Sequence, residues 1–365
     1  MKTIYEKYAK LLTNYCLQVS KGDKVFVKST YLAEPLLQEL LKEIYLAGGH
    51  PFLDIEIQEQ NKLFLDHAGQ HQLEFVSPFM EQIMETFDCY LVIRAPFNLK
   101  DGQNVDAEKR KVASAARQPM MKTYMARTGN YELRRSLCQF PTQASAQEAG
   151  MSLSEYQEFV FGACNLNYDD PIAEWQKLSE KQQGIVDHLN TCKKVHYKGN
   201  DIDISFSTEG RIWINSDGKT NMPSGEVYTA PVEDSVNGIV RFSHPSIYMG
   251  TEVEDIRLEV KNGEVIKWDA KRGKEFLDKI FDIPGARHFG EAAVGTNFNI
   301  QQFTKNILFD EKIGGTIHMA IGQSYHQCGG KNNSSIHWDM IADMTNGGEI
   351  FADGEKVYEN GRFTI

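Results

Sequence analysis

The periodicity of the apolar residues changes near residue 193, and this change constrains the fold more than any other feature of the chain. Before it, helical patterns over residues 4–19 and 33–47 alternate with strand-like runs over 24–28 and 51–57. A strand, a helix and a second strand in this order form a βαβ unit, whose two strands are parallel. We therefore predict an α/β lobe built on a parallel sheet.

The rest of the first half extends this pattern. A helix that starts with a proline is predicted over residues 77–86, and it leads to an apolar strand over 89–94. The segments 107–131 and 152–190 are predicted to be mostly helical. We place the end of an N-terminal α/β domain, residues 1–192, after the last of these helices.

From Lys193 onward, apolar and polar residues alternate in short stretches, as in half-buried strands of antiparallel sheets. The dipeptides Asn262-Gly263, Asp353-Gly354 and Asn360-Gly361 favour the tight turns of β-hairpins. We therefore predict a C-terminal α+β domain, residues 193–365, that is rich in antiparallel strands and carries the chemistry. A length of 365 residues fits two domains of this kind.

Composition and charge limit the possible binding partners and the cellular compartment of the protein. Lys and Arg total 39 against 50 Asp and Glu, which gives a net charge of -11 without a basic run, so we expect no nucleic-acid partner. No stretch approaches the ~20 apolar residues that span a bilayer, and the start of the chain lacks the apolar segment of a signal peptide. The six cysteines are scattered without a Cys-x-x-Cys pair. We expect a cytoplasmic protein with no membrane partner.

Several common functional motifs are absent from the sequence. Neither Gly-x-x-x-x-Gly-Lys-Ser/Thr nor Gly-x-Gly-x-x-Gly follows a predicted strand, which argues against nucleotide binding. The sequence has no His-Glu-x-x-His helix and no Gly-x-Ser-x-Gly turn, so it lacks the commonest signatures of zinc proteases and serine hydrolases. Cys328 is a lone cysteine, which is more often structural than nucleophilic. The chemistry is therefore expected to rest on other side chains.

Residues able to bind a metal ion crowd into the C-terminal part of the chain. His337 and Asp339 are two residues apart, so on a strand both point to the same face. Glu226, Glu291 and His318 lie in apolar or glycine-containing segments, where an unpaired buried carboxylate is costly and a cation would relieve the cost. Imidazole nitrogens mixed with carboxylate oxygens suit zinc or cobalt, and manganese less well. If these residues converge, the chain is a metal-dependent hydrolase.

The segments around these residues resemble those of a known family. The matching segments are Asn221–Pro231, Pro284–Glu291, Leu308–Glu311, His318–Gly322 and His337–Ile341, with Lys21–Val25, Phe140–Ala144 and Ala149–Ser152 in the first half. Their order and spacing are similar to those of the thermophilic metalloaminopeptidases, of the aminopeptidase S, aminopeptidase T and aminopeptidase II type. The resemblance covers nearly the whole chain.

That resemblance implies a homodimeric aminopeptidase that removes N-terminal residues from peptides with a pair of divalent metal ions per chain. Zinc or cobalt is expected first, with manganese or magnesium as alternatives, and the N-terminal lobe would serve as scaffold and cleft wall. The residues that match metal ligands, or acidic residues beside them, are Glu226, Glu291, Glu311, His318, His337 and Asp339. By the same match, Glu291 bridges the metals and Tyr325 is an outer ligand or a donor to the oxyanion. Glu226 would move the proton to the leaving amine.

The chain departs from the family pattern beside the candidate ligands. Gly225 stands where members often carry a second acid, and the segment between Glu311 and His318 is longer than usual. Two alternatives stay open. One is a metal-dependent hydrolase of non-peptide amides, and the other is a catalytically silent peptide-binding homologue.

Overall fold

The computed structural model describes residues 3–365, and their contacts divide the chain into two compact units. The first unit extends to Ile172 and includes the later segment Gly218–Pro223, and the second comprises Ala173–Asp217 and Ser224–Ile365. This division falls before the boundary expected after residue 192. The reason is that the long helix preceding that boundary buries its apolar side chains, among them Ile185, Val186 and Leu189, in the core of the second unit.

The first unit is an α/β fold. Its helices are α1 (Ile4–Lys10, continued by a π-helical stretch over Leu11–Cys16), α2 (Glu34–Leu46), α3 (Gln60–His67), α4 (Gln70–Leu73), α5 (Pro78–Thr86), α6 (Ala107–Ala116), α7 (Gln118–Gly129), α8 (Gln143–Glu148) and α9 (Leu153–Ala163). Its strands are β1 (Lys24–Thr30), β2 (His50–Glu56), β3 (Cys89–Arg94), β4 (Arg134–Gln139) and β8 (Asn221–Met222).

The strands of the first unit form one parallel sheet in the order β2-β1-β3-β4-β8. The predicted α/β lobe with a parallel sheet is therefore confirmed. The helix predicted over 107–131 is divided in two at Arg117, because Pro119 lies in the first turn of α7, where its missing N–H costs no hydrogen bond.

The second unit is dominated by antiparallel strands. Its helices are α10 (Pro171–Leu189, which begins at the boundary), α11 (Lys274–Ile280) and α12 (Ile307–Asp310). Its strands are β5 (Lys194–Gly199), β6 (Ile202–Ser207), β7 (Ile214–Ser216), β9 (Glu226–Thr229), β10 (Asn237–Phe242), β11 (Ser246–Tyr248), β12 (Thr251–Val253), β13 (Ile256–Lys261), β14 (Glu264–Asp269), β15 (Phe289–Gly295), β16 (Thr316–Gly322), β17 (His337–Asp343), β18 (Glu349–Ala352), β19 (Glu355–Glu359) and β20 (Arg362–Phe363).

These strands form two large sheets and a separate hairpin. The eight-stranded sheet has the order β14-β13-β10-β6-β5-β18-β19-β20, and the five-stranded sheet has the order β17-β16-β15-β9-β7. Strands β11 and β12 pair with each other. The predicted α+β domain rich in antiparallel strands is thus confirmed. Among the helices of residues 3–365, none is long and apolar enough to cross a bilayer.

The three turn dipeptides close hairpins as predicted. They join β13 to β14, β18 to β19 and β19 to β20. Both residues of each dipeptide have a positive φ: 50° and 81° at Asn262 and Gly263, 47° and 89° at Asp353 and Gly354, and 49° and 87° at Asn360 and Gly361. Asn, Asp and Gly tolerate this conformation best, which is why the turns could be recognised from the sequence.

The two large sheets share one apolar core. Strand β13 alternates buried and exposed residues, whereas β15 and β16 are buried at every position. The core includes Ile204 and Val240 from the eight-stranded sheet and Val294, Ile317 and Met340 from the five-stranded sheet. One face of the five-stranded sheet therefore packs on this core, and its buried other face is available for a polar site.

This core predicts different costs for two isoleucine substitutions on neighbouring strands. Ile256 is fully buried, whereas Ile266 is 48% exposed. Ile256→Ala should lower the free energy of unfolding by about 2–5 kcal/mol, because it removes buried methylene groups and leaves a cavity. Ile266→Ala serves as the matched control and should cost less than about 1 kcal/mol. Urea unfolding of both variants checks this, and equal losses would contradict the described packing.

Candidate metal centre

The register of the five-stranded sheet decides which side chains share a face. Glu226 opens β9 opposite Gly295 of β15, and His318 of β16 lies opposite Ala293 of the same strand. Paired residues of antiparallel strands project to the same side, and residues at even spacing along a strand do so as well. Glu226, Glu291 and His318 therefore project from one face.

Strand β17 brings the remaining pair to that face. His318 is paired with Ile341, which is at even spacing from His337 and Asp339 on β17. The two residues that the sequence placed on one strand face thus lie beside the ligands contributed by β15 and β16. Four strands converge on one polar cluster.

Distances within the cluster are short. His337 Nε2 lies 3.0 Å from Glu291 Oε2 and 3.6 Å from Asp339 Oδ1. His318 Nε2 lies 3.3 Å from Glu226 Oε2 and 3.7 Å from Glu291 Oε1. Glu291 therefore contacts both histidines, the position expected of a carboxylate shared between two metal ions.

The arrangement offers two sites for a cation. Two sets of three side chains each present ligand atoms within 4.8 Å of one another: Glu291, His337 and Asp339, and Glu311, His318 and Asp339. Asp339 belongs to both sets. Glu226 belongs to neither, and its carboxylate lies between His318 and Lys312 instead.

Unsatisfied buried atoms show that the cluster fits a divalent metal. Within the described residues 3–365, Glu226 Oε2, His337 Nε2 and Asp339 Oδ1 are buried, and their close contacts to imidazole or carboxylate groups lack the geometry of hydrogen bonds. Such atoms are rare in folded proteins because each forfeits its hydration. The other ring nitrogen of His337, Nδ1, lies 2.7 Å from the carbonyl oxygen of Gln323, to which it can donate when it carries a proton. That contact leaves Nε2 as the nitrogen that faces the carboxylates, as in metal-binding histidines.

The carboxylates make the cluster a strong attractor of positive charge. Burial lowers the pKa of His318, but Glu291 and Glu226 outweigh burial and raise it to about 9. Burial also lowers the pKa of His337, but Asp339 and Glu291 raise it to about 12. A bound metal must displace the protons of His318 and His337. Its positive charge then compensates the carboxylates in place of the two protonated imidazoles.

Tyr325 lies beside the cluster, with 39% of its surface exposed. Its ring packs against His337, with centroids 4.9 Å apart, and against Tyr228, with centroids 5.5 Å apart. Burial of its hydroxyl raises the pKa of Tyr325 well above its ordinary value, so the hydroxyl keeps its proton and can donate it in a hydrogen bond. The position fits the donor role implied by the family resemblance.

Lys312 is a member of the cluster that the sequence analysis did not identify. It is fully buried, its Nζ lies 3.4 Å from Glu226 Oε1, and it also forms an ion pair with Glu311. Burial lowers the pKa of Lys312, but the two glutamates outweigh burial and raise it, so the side chain carries its charge. In the sequence it stands beside an acid in a glycine-containing segment, a pattern typical of exposed turns.

Gln182 of α10 was missed as well, and it fixes the backbone at Glu226. Its Nε2 donates to the carbonyl oxygens of Glu226 at 3.0 Å and Ser216 at 3.2 Å. Its Oε1 accepts from Thr296 Oγ1 at 2.9 Å. Nothing in the helical pattern of α10 distinguishes this glutamine from a surface residue.

Gly225 explains one departure from the family pattern. Its φ is +114°, and a Cβ atom at this position would lie 2.7 Å from Asn297 Cβ. A side chain would be strained by the φ and would collide with Asn297. A second acid beside Glu226 is therefore incompatible with this backbone, and Glu226 is the one acidic side chain at the start of β9.

Comparison with known proteins finds similarity along nearly the whole chain. A family model described as thermophilic metalloprotease (M29) matches residues 1–363. The chain is 26% identical to Aminopeptidase 2 of Geobacillus stearothermophilus, over 99% of this chain and 97% of that protein. It is 27% identical to Aminopeptidase PepS of Streptococcus thermophilus, over 99% and 98% of the two chains.

A solved structure shares the fold. Wild-type AmpT from Thermus thermophilus superposes with a TM-score of 0.86 at 24% identity, over 99% of each chain. The match to the family model spans nearly every residue, and it confirms the resemblance seen in the sequence. The chain belongs to the thermophilic metalloprotease (M29) family.

Proposed function

We propose that this protein is a metal-dependent aminopeptidase that removes N-terminal residues from peptides, with two divalent metal ions in the cluster on the five-stranded sheet. The observation that carries the proposal is the convergence of four strands on one buried set of carboxylates and imidazoles with unsatisfied atoms. The names of the similar proteins, which are aminopeptidases, support the substrate class.

The two sets of ligand atoms support two metal ions. Glu291, His337 and Asp339 would hold one ion, and Glu311, His318 and Asp339 the other. We keep Glu291 as a bridging carboxylate because it contacts both histidines, and Asp339 is a second candidate because both sets include it. When bound, such ions lower the pKa of a water molecule and polarise the scissile carbonyl.

The protein's own side chains would then handle the proton and the oxyanion. Glu226 lies outside both ligand sets, and its Oε2 is buried beside His318 without a hydrogen bond of good geometry, so we assign it to take a proton and pass it to the leaving amine. The Tyr325 hydroxyl would donate a hydrogen bond to the oxyanion of the substrate. The free amino terminus of the substrate would bind at the second ion or at an acid nearby, which would restrict cleavage to the first residue.

Three finer expectations remain predictions. Zinc or cobalt is the metal that the mixed nitrogen and oxygen ligands favour. A cytoplasmic location is supported by the six cysteines, all of which have free thiols. A homodimer is expected from the family resemblance, and light scattering in solution tests it.

Chelation combined with blocked substrates tests the activity. Peptide hydrolysis should fall to background in chelator and return on addition of zinc or cobalt, because the proposed chemistry needs the ions. Free-amine substrates should be cleaved and the same substrates with a blocked amine should not. Cleavage that is indifferent to chelator would contradict the proposal. Equal cleavage of blocked amides would favour a hydrolase of non-peptide amides, and metal binding without hydrolysis would favour a silent homologue.

Two substitutions test the ligands. Glu291→Gln and His337→Ala should each lower kcat/KM by about a thousandfold or more, because each removes a ligand from the cluster. Circular dichroism should show a retained fold. His196→Ala is the matched control for the histidine, since His196 pairs with Asp203 on the other sheet, and Glu259→Gln, at an exposed position of β13, is the control for the glutamate. Near-normal turnover in either site variant would contradict the assignment.

A further inference from the structure

A lysine side chain lies inside the acidic cluster and has no part in the chemistry described above. Lys312 has no exposed surface, and its ammonium group lies between the carboxylates of Glu226 and Glu311. Lysine is almost never fully buried unless it is paired. Here the partners are a candidate metal ligand and the candidate proton carrier, so the lysine bears directly on the site.

The backbone fixes this lysine in place. The Lys312 amide donates to the carbonyl of Phe309 at 3.0 Å, and its carbonyl accepts from the amide of Asn297 at 3.0 Å. The preceding helix α12 is anchored in turn, because Asp310 Oδ1 accepts from the amide and the hydroxyl of Thr304. Lys312 is therefore a built-in part of the cluster, unlike a flexible surface lysine.

The ammonium group of Lys312 forms an ion pair with a member of only one of the two ligand sets. In the set formed by Glu291, His337 and Asp339, no residue lies within ion-pair distance of Lys312 among the described residues 3–365. In the other set, Glu311 is already paired with the lysine. A cation that approaches the second set must share Glu311 with an ammonium group, whereas, in the described part of the chain, Glu291 and Asp339 of the first set contact only imidazoles, which can themselves become ligands.

We propose that Lys312 is a positioning residue that acts as a resident cation on the Glu226–Glu311 side of the cluster, so that the two metal ions bind with unequal affinity. The inference rests on the proposed function. Lys312 compensates the charges of Glu226 and Glu311 when that side holds no metal. It also lowers the affinity for the second ion by electrostatic repulsion. The set with Glu291, His337 and Asp339 is the tighter of the two sites.

The proposal predicts two effects of opposite sign when the charge is removed. Lys312→Met keeps an unbranched apolar stem of similar length and removes the ammonium group. Loss of a unit charge a few ångströms from a divalent ion should raise the affinity of the weaker site about tenfold or more. Loss of the partner of two buried carboxylates should also lower Tm in chelator by about 5 °C or more. A lysine that only filled space would leave metal affinity unchanged or weaken it.

Zinc titration against a chromophoric chelator and thermal unfolding in chelator measure the two effects on the whole chain. Lys356→Met is the matched control, because Lys356 also contacts two glutamates, Glu349 and Glu359, and all three side chains are partly exposed to solvent. The control should match the wild type in both measurements. Two wild-type sites of equal affinity, or a Lys312→Met variant whose zinc affinity is unchanged or reduced, would overturn the inference while leaving the proposed function intact.

A double variant keeps the test decisive if Lys312→Met does not fold without metal. Adding Glu311→Gln removes one of the two carboxylates that the lysine compensates, so the double variant should recover part of the lost Tm in chelator. A double variant as unstable as the single one would overturn the inference. A wild-type protein that binds no divalent ion and cleaves no peptide would overturn the proposed function and this inference together.

Discussion

Charge compensation in a buried cluster is the interaction on which the rest of this structure depends. The carboxylates of the cluster are those of Glu226, Glu291, Glu311 and Asp339, and the cationic partners are His318, His337 and Lys312. Taking a charge out of water costs several kcal/mol unless an opposite charge replaces the hydration. The carboxylates raise the pKa values of His318 and His337, so these imidazoles carry protons that compensate the negative charge when no metal is bound. The same demand makes the cluster a receptor for divalent cations.

Such a cluster requires a stiff frame, and the five-stranded sheet supplies it. Strands β15 and β16 are buried at every position, so they have no freedom to relax away from the charged face. Gln182 ties the first residue of β9 to helix α10, and Gly225 lets the backbone pass close to Asn297 just before it. Ligands held on strands keep their geometry better than ligands held on loops. The sheet therefore holds buried polar atoms in place without hydrogen bonds of good geometry, whereas a flexible segment would rearrange to provide them with partners.

The parts of the fold that could be predicted from the sequence are those with local causes. Asn262-Gly263 forms a hairpin because its own residues tolerate a positive φ, whatever surrounds them. The common face of His337 and Asp339 follows from the two-residue period of any strand. Pro119 shows the limit of such reasoning, since it divides a predicted helix at a position that the apolar pattern does not mark.

The sequence by itself determined the two kinds of sheet, the hairpin turns and the supply of ligand side chains, because these depend on residues close together in the chain. Only the tertiary structure decided how the ligands are grouped. Asp339 reaches two ligand sets and Glu226 reaches neither, as a result of register between strands far apart in sequence. Lys312 is the clearest case: beside Glu311 in sequence it has the pattern of a solvated charge, and only packing turns it into a buried cation. The burial of this lysine is a property of the whole fold, and the residues beside it in the sequence do not encode it.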